Sequence, residues 1–210
     1  HIESTFMVPR NLAAAISPLG TTTIMPDPHE IANTCGMEGI RFMERESRGL
    51  PVDIYFGAPS CVPASPYETP FEELDARDIK TLFDEGTCTH LGEMMNFPGV
   101  IFDAPDVIAK LNAAKAANKP IDGHAPGLTS KDLQKYVKSG ISTDHECFNI
   151  EEAREKLEQG MKILIREGSA AKNFDELIPL LNDYPEMVMF CSDDKHANDL
   201  ITGHINLLVR

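Results

Sequence analysis

Residues 141–168 read ISTDHECFNIEEAREKLEQGMKILIREG, and this stretch decides the fold class. It holds two short β-rich runs, 141–144 and 161–165, with a helical pattern at 150–159 between them. Asn149 precedes an acidic first turn, as a helix N-cap does. A strand, a helix and a second strand in this order predict parallel strands joined by a helical crossover, which is the unit of an α/β fold.

The same alternation runs through the rest of the chain. Further β-rich runs lie at 20–25, 52–58, 87–91, 120–123 and 187–191. Helical patterns lie at 6–17, 31–48, 104–118, 130–139, 173–181 and 196–209, with Ser130 predicted as an N-cap. With an eighth strand expected before residue 1, these seven predict a (β/α)₈ TIM-barrel core whose first strand is largely missing from this chain. We expect one barrel domain over residues 1–210, a fragment without its N-terminal strand or any further C-terminal domain.

Polar residues that can bind metals come at the ends of these predicted strands, one after another. They are His1, Asp27, His29, Ser60, Glu93, His124, His145, Glu146, Asp193 and Asp194. In a barrel the carboxyl ends of the strands converge on one face, whereas a doubly wound open sheet, which periodicity alone also allows, would spread them along an edge. Imidazole and carboxylate donors together suit divalent Zn, Mn or Fe. The predicted ligands are His1, Glu93, His124, His145 and Asp193.

Other reactive residues are less informative. His29 lies in a rigid, proline-containing loop above the predicted site, where contact with substrate and support of a ligand are both open. His90 is expected to be structural, and His196 and His204 are expected to be packed or solvated on the last predicted helix. Cys61 is expected to be a buried thiol, because a Cys nucleophile needs a neighbouring base.

Composition excludes several classes of protein. The chain has 210 residues, with 19 Lys or Arg against 33 Asp or Glu and a formal net charge of −14, which argues against nucleic-acid binding. No apolar stretch approaches the ~20 residues that span a bilayer, and no signal peptide is visible. Five widely spaced Cys indicate a reducing compartment. We expect a cytoplasmic protein without nucleic-acid or membrane partners, possible homo-oligomerisation being left open.

Short blocks of sequence carry a resemblance to a known family. They are HIES (1–4), GTTT (20–23), DPHEIAN (27–33), PSCVP (59–63), LGE (91–93), DGHAPG (122–127), DHE (144–146), REGS (166–169) and CSDD (191–194). In this order they resemble the amidohydrolase superfamily, and in particular its branch that deaminates adenine. The first block is similar to the end of the family's His-x-His strand, whose first His would precede residue 1.

That resemblance implies a (β/α)₈ hydrolase that converts adenine and water to hypoxanthine and ammonia, with a role in purine salvage. It implies two divalent ions, Mn²⁺ or Fe²⁺ ahead of Zn²⁺. His1 and Asp193 would bind the first ion, His124 and His145 the second, and Glu93 would bridge the two. Asp193 would also carry the proton from water to the departing amino group.

Some roles and functions stay open at this point. Glu146 or Asp194 would protonate a ring nitrogen, with support of His145 as the other reading of Glu146. His29, Ser60 and Asp194 are predicted to contact the substrate. The alternative functions are a related amidohydrolase acting on another cyclic amidine or amide, such as an N6-substituted adenine or another aminopurine, and a catalytically silent barrel fragment.

Overall fold

The computed structural model describes residues 1–209, in which eight short strands alternate with helices. The strands are β1 (Thr23–Ile24), β2 (Asp53–Ile54), β3 (Gly57–Ala58), β4 (His90–Met94), β5 (Ile121–Gly123), β6 (Thr143–Asp144), β7 (Lys162–Arg166) and β8 (Val188–Cys191). Every hydrogen-bonded pair of these strands is parallel. The predicted α/β class with parallel strands is therefore confirmed.

The strands form three small sheets that follow the order of the chain. The first sheet pairs β1 with β2, the second has the order β3-β4-β5, and the third has the order β6-β7-β8. Within residues 1–209 the three sheets do not join into one closed ring of hydrogen bonds. Since paired parallel strands run in the same direction, the residues at their carboxyl ends lie at the same edge of each sheet.

Each predicted strand run contains an observed strand, with two differences that matter for the site. The run at 52–58 divides into β2 and β3. The strand predicted at 87–91 begins later, at His90, so Glu93 lies inside β4 instead of following it. His90 is buried at the start of this strand, with its Nδ1 3.1 Å from the hydroxyl of Thr89, as expected for a structural histidine.

Eight of the ten α-helices of residues 1–209 lie between strands, one precedes β1 and one follows β8. They are α1 (Pro9–Ile16), α2 (His29–Ser47), α3 (Ala76–Asp84), α4 (Phe97–Ile101), α5 (Pro105–Ala116), α6 (Ser130–Lys138), α7 (Ile150–Glu158), α8 (Phe174–Leu177), α9 (Leu180–Asp183) and α10 (Ala197–Leu200), with 3₁₀ turns at Glu3–Thr5, Ser17–Leu19 and Ile205–Leu207. The sequence pattern did not predict α3 or α4. Asn149 caps α7 as predicted, its side chain accepting the Glu152 N–H at 2.9 Å.

The long helix predicted at 196–209 is wrong. α10 ends at Leu200, and Gly203 follows with φ +147°, a conformation that a helix cannot continue through. His196 therefore precedes a short helix, while His204 lies in a loop and its Nδ1 is 2.9 Å from the Thr21 hydroxyl. Burial lowers the pKa of His204 to about 4, with a smaller contribution from Lys195.

Two more predicted helix features also differ. The helix predicted at 173–181 divides into α8 and α9 around Pro179, which has no N–H to donate. Ser130 is the first residue of α6 with φ +59°, and the N-cap position belongs to Thr129, whose side chain makes no capping hydrogen bond.

The helices pack on the sheets through two apolar cores. The larger core includes Ile79 and Leu82 of α3, Leu91 of β4 and Leu133 of α6. A smaller core joins α7, β7, α8 and α9 through Leu157, Ile163, Ile165, Leu177 and Leu180. None of the helices in the described part of the chain has the length and apolar character needed to cross a membrane.

Two glycines allow the sheets and the site to pack closely. A Cβ on Gly92 of β4 would lie 2.2 Å from Asp27 Oδ2, and one on Gly123 of β5 would lie 2.1 Å from the main-chain oxygen of Thr143. Neither contact is possible for real atoms, so both positions require glycine. Asp27 after β1 thereby comes close to β4, and β5 comes close to β6.

Candidate metal centre

The carboxylate of Glu93 in β4 lies at the centre of four histidine side chains. Its Oε1 is 3.0 Å from His1 Nε2 and 3.4 Å from His29 Nε2. Its Oε2 is 2.6 Å from His124 Nδ1 and 3.2 Å from His145 Nε2. Each oxygen of this one carboxylate thus has its own pair of imidazoles.

Three of the four imidazoles follow the ends of strands, and His1 precedes the first strand. His29 begins α2 after β1, His124 directly follows β5, and His145 directly follows β6. The rings of His1 and His29 are 4.5 Å apart, and those of His124 and His145 are 5.3 Å apart, both pairs edge to face. The structure therefore brings together four histidines that are far apart in the sequence.

The carboxylates and imidazoles of this centre shift one another's pKa values. Burial acts to raise the pKa of Glu93, yet the surrounding imidazoles hold it well below its ordinary value. Burial acts to lower the pKa of His145, but the Glu93 carboxylate raises it to about 10. Hydrogen bonds to Asp193 and Glu93 likewise overcome burial and raise the pKa of His1. The carboxylates of the centre therefore favour positive charge on whatever they face.

Arg166, at the end of β7, joins two further carboxylates to the centre. Its Nη1 donates to Asp193 Oδ2 at 2.8 Å and also to Glu146. The other oxygen of Asp193 lies 3.2 Å from His1 Nε2, and Glu146 Oε1 lies 3.5 Å from His145 Nε2. Burial acts to raise the pKa of Asp193, but its hydrogen bond with His1 contributes to lowering it to about 2.

Asp27 holds two residues of the centre in place by hydrogen bonds. Its Oδ2 accepts the main-chain N–H of Glu93 at 2.9 Å, and its main-chain oxygen accepts a hydrogen bond from His1 Nδ1 at 2.8 Å. With Nδ1 occupied in this way, Nε2 of His1 is the atom that faces Glu93 and Asp193. Burial raises the pKa of Asp27 to about 7, and its Oδ1 is buried without a hydrogen-bond partner among residues 1–209.

The residues predicted to contact substrate have different surroundings. The Ser60 hydroxyl is buried and donates to the main-chain oxygen of Glu93 at 2.5 Å, so it holds the end of β4. Asp194 is exposed, and its carboxylate belongs to one donor group with His1 and Asp193. His29 lies on Glu93 next to His1. Their contacts with a substrate stay predictions.

The donor set fits divalent cations. Three of the groups whose donor atoms lie within 4.8 Å of one another are His1 with His29 and Glu93, Glu93 with His124 and His145, and His145 with Glu146 and Asp193. Neutral imidazole and carboxylate are the donors that Zn²⁺, Mn²⁺ and Fe²⁺ share. Glu93 belongs to the first two groups, as a carboxylate that bridges two ions must.

A cavity of about 750 Å³ opens beside the centre. His1, Glu93, His145 and Asp193 line it on the side of the metal-binding residues, and apolar side chains such as Ile24 and Leu164 line other parts. Its volume is that of an ordinary small-molecule site. A small molecule therefore has room next to the carboxylates.

Tyr136 of α6 links two of the strand ends that form the centre. Its buried hydroxyl donates to the Met94 main-chain oxygen at 2.9 Å and accepts the His124 N–H at 3.0 Å.

We expect Tyr136→Phe to lower the free energy of unfolding by about 1–3 kcal/mol, because both main-chain groups lose their buried partner. Urea unfolding measures this loss. Tyr67→Phe is the control, since that side chain is 95% exposed, and an equal effect of the two substitutions would contradict the linking role.

Sequence reasoning did not assign the roles of two residues that shape this centre. Arg166 is visible in the sequence as a polar residue at a strand end, but nothing there indicates that it joins Glu146 to Asp193. Asp27 is visible in the same way, without a sign that it holds Glu93.

Comparison with known proteins identifies the family of this chain. Residues 1–208 match the model of the amidohydrolase family, and the chain belongs to that family. It is 55% identical to a protein of Methanosarcina mazei and 54% identical to one of Salinibacter ruber, both named adenine deaminase. Each match covers the whole of this chain and 38% of the relative, so the chain spans well under half the length of these relatives.

A solved structure supports the fold alone. The chain is similar to an enolase protein from the Sargasso Sea environmental genome, with a TM-score of 0.52 and 12% sequence identity. The match covers 90% of this chain and 51% of the other. The likeness therefore extends over most of the parallel α/β architecture.

Proposed function

We propose that this chain forms the metal-dependent catalytic site of an adenine deaminase, which hydrolyses adenine to hypoxanthine and ammonia. The observation that carries the proposal is the position of Glu93, with one oxygen on His1 and the other on His124 and His145. The names and the 54–55% identity of the two relatives supply the substrate.

We also propose that the parallel sheets belong to a (β/α)₈ barrel. The order of the strands, their parallel pairing and the likeness to the enolase protein support this arrangement. The single domain predicted over residues 1–210 is part of the same proposal.

The residues fit two divalent cations, for which Mn²⁺ and Fe²⁺ are our first choices and Zn²⁺ the next. His1 and Asp193 would hold one cation, His124 and His145 the other, and Glu93 both; His29 is near enough to the first pair to add a donor. When bound, such cations lower the pKa of water from 15.7 towards about 7 and so supply a nucleophile at neutral pH.

The chain's own carboxylates would move the protons. Water attacks C6 of adenine while Asp193 accepts one of the two protons of that water, and this proton passes to the exocyclic nitrogen as the C6–N bond breaks and ammonia leaves. The second proton of the water leaves the C6 hydroxyl as the carbonyl of hypoxanthine forms, and it balances the proton that a ring nitrogen gains. Arg166 holds Asp193 in place by its hydrogen bond to Oδ2. Asp193 thus acts first as a base and then as an acid.

A ring nitrogen of adenine must also gain a proton, and the surroundings of Glu146 favour it over Asp194. Glu146 is held by Arg166 beside His145, whereas Asp194 is exposed.

We expect Glu146→Gln to reduce turnover by about 10²-fold or more, and Asp194→Asn to reduce it less, because general acid catalysis needs a positioned group. Steady-state rates of the two variants decide this, and a larger loss for Asp194→Asn would reverse the assignment.

The test of the proposed function is ammonia release from adenine by the protein loaded in turn with Mn²⁺, Fe²⁺ and Zn²⁺. Metal-dependent formation of hypoxanthine is the expected result. A parallel panel contains N6-methyladenine and other aminopurines, and turnover of one of these without adenine would keep the hydrolase and change its substrate. A protein that binds no metal under any of these conditions would refute the proposal.

A further inference from the structure

We propose that Lys156 is a positioning residue, which sets the distance between the His124 and His145 imidazoles and thereby the metal affinity of that half of the centre. This inference rests on the proposed function, since it concerns the same metal site. Lys156 lies on α7, and its side chain has no exposed surface. Its effect would pass through the loops that carry the two imidazoles.

The Lys156 ammonium uses all three of its hydrogens. It donates to the Ala125 main-chain oxygen at 2.6 Å, to Asp144 Oδ2 at 2.8 Å and to Glu152 Oε1 at 2.6 Å. Ala125 directly follows His124, and Asp144 directly precedes His145. One ammonium group is therefore bonded to the chain beside each of the two histidines.

The two carboxylates extend this connection along both loops. Asp144 Oδ1 accepts the Ala125 N–H at 2.8 Å, across the gap between the loops. Glu152 Oε1 accepts the Gly127 N–H at 2.8 Å, and its Oε2 accepts the Phe148 N–H at 3.2 Å. The loop after β5 and the loop after β6 are thus bonded to one buried ionic cluster, formed by Lys156, Asp144 and Glu152.

A second metal site and a gain in stability account for the buried ionic cluster less well. Asp144, Cys147 and Glu152 have donor atoms close enough to hold a metal ion, but the Lys156 ammonium already bonds both carboxylates. Stability alone is a poor reason for the cluster, because a buried ion pair is often no more stable than apolar residues of the same volume. Its particular contribution is the fixed geometry of the main-chain groups that it bonds.

The experiment compares Zn²⁺ affinities of the purified chain and its variants, measured by competition with a chromophoric chelator. We expect Lys156→Met to weaken Zn²⁺ binding by about 10–100-fold, the usual effect of removing a group that orients metal ligands. We expect the same variant to change the visible absorption spectrum of the Co²⁺-loaded protein, which reports the arrangement of the ligands around the ion. Both readouts are independent of turnover.

The matched control is Leu180→Ala, which removes a buried side chain of α9 from the smaller core and leaves every hydrogen-bonding group of the buried ionic cluster in place. Urea unfolding measures the free energy of unfolding of both Leu180→Ala and Lys156→Met, so that their losses of stability can be compared. If Lys156→Met does not fold, Glu152→Gln replaces it, because that variant keeps the side-chain volume and loses one of the two oxygens that bond Lys156 and the loops.

The possible outcomes are distinct. A loss of affinity in Lys156→Met, or in its replacement, that Leu180→Ala does not share supports the inference. A Zn²⁺ affinity of Lys156→Met within about twofold of that of the unaltered chain overturns it. A loss of affinity in both Lys156→Met and Leu180→Ala, in proportion to their loss of stability, overturns it as well. An unaltered chain that binds no Zn²⁺ refutes the metal site itself, and the inference with it.

Discussion

Glu93→Gln is expected to lower the proposed deaminase activity by about a thousandfold or more. The substitution keeps the shape of the side chain and removes both its charge and one of its two oxygens. Because Oε1 and Oε2 each face their own imidazoles, the amide can serve only one half of the centre with an oxygen. A loss of several kcal/mol of metal-derived stabilisation of the transition state corresponds to at least this factor.

Elemental analysis and ammonia release together measure this effect. We expect fewer metal ions per chain in Glu93→Gln, in parallel with the loss of turnover. Glu151→Gln is a control on the exposed face of α7 and is expected to keep both. A Glu93→Gln variant that retained two ions and near-normal turnover would remove this residue from the mechanism.

Asp193→Asn is expected to lower turnover by about 10²–10⁴-fold, the range attributed to general acid–base catalysis. The amide cannot accept the proton of water, and its nitrogen would face either His1 or Arg166 in place of an acceptor oxygen. Glu93 lies within 3.2 Å of both His124 and His145 and is unaltered in this variant, so we expect one of the two ions to remain bound.

Single-turnover rates and metal content separate the two roles of Asp193. Asp183→Asn is the control, since Asp183 is an exposed partner of Arg154. If excess Mn²⁺ restored the turnover of Asp193→Asn to near normal, Asp193 would be a ligand only, and the proton would have to move through another group.

Much of the fold follows from local sequence patterns. The strands were predictable because short β-rich runs alternate with helix-length segments, and Asn149 with its acidic first turn marked the start of α7. The end of α10 at Leu200 was not predictable in this way, because apolar spacing continues past Gly203, whose positive φ does not allow a helix. Boundaries set by backbone conformation are not visible in residue type alone.

Some residues of the centre could also be predicted from the sequence, and others could not. Glu93, His124 and His145 could be named because their side-chain chemistry is specific and their positions at strand ends place them on one face. Lys156 could not be named, since the same glutamate–lysine spacing occurs on exposed helices, and only tertiary packing shows that no part of it reaches the surface. Residues that act through the main chain of a loop leave no pattern in the sequence.

The donors of the centre span the chain from His1 to Asp193, and they meet only in the folded state. An unfolded chain has no such arrangement, so any cation held there binds the native state alone. Folding and metal binding then share one equilibrium: a free metal concentration a hundredfold above its dissociation constant adds about 2.7 kcal/mol to the stability of the protein. The melting temperature of this chain becomes a gauge of how much metal its surroundings supply.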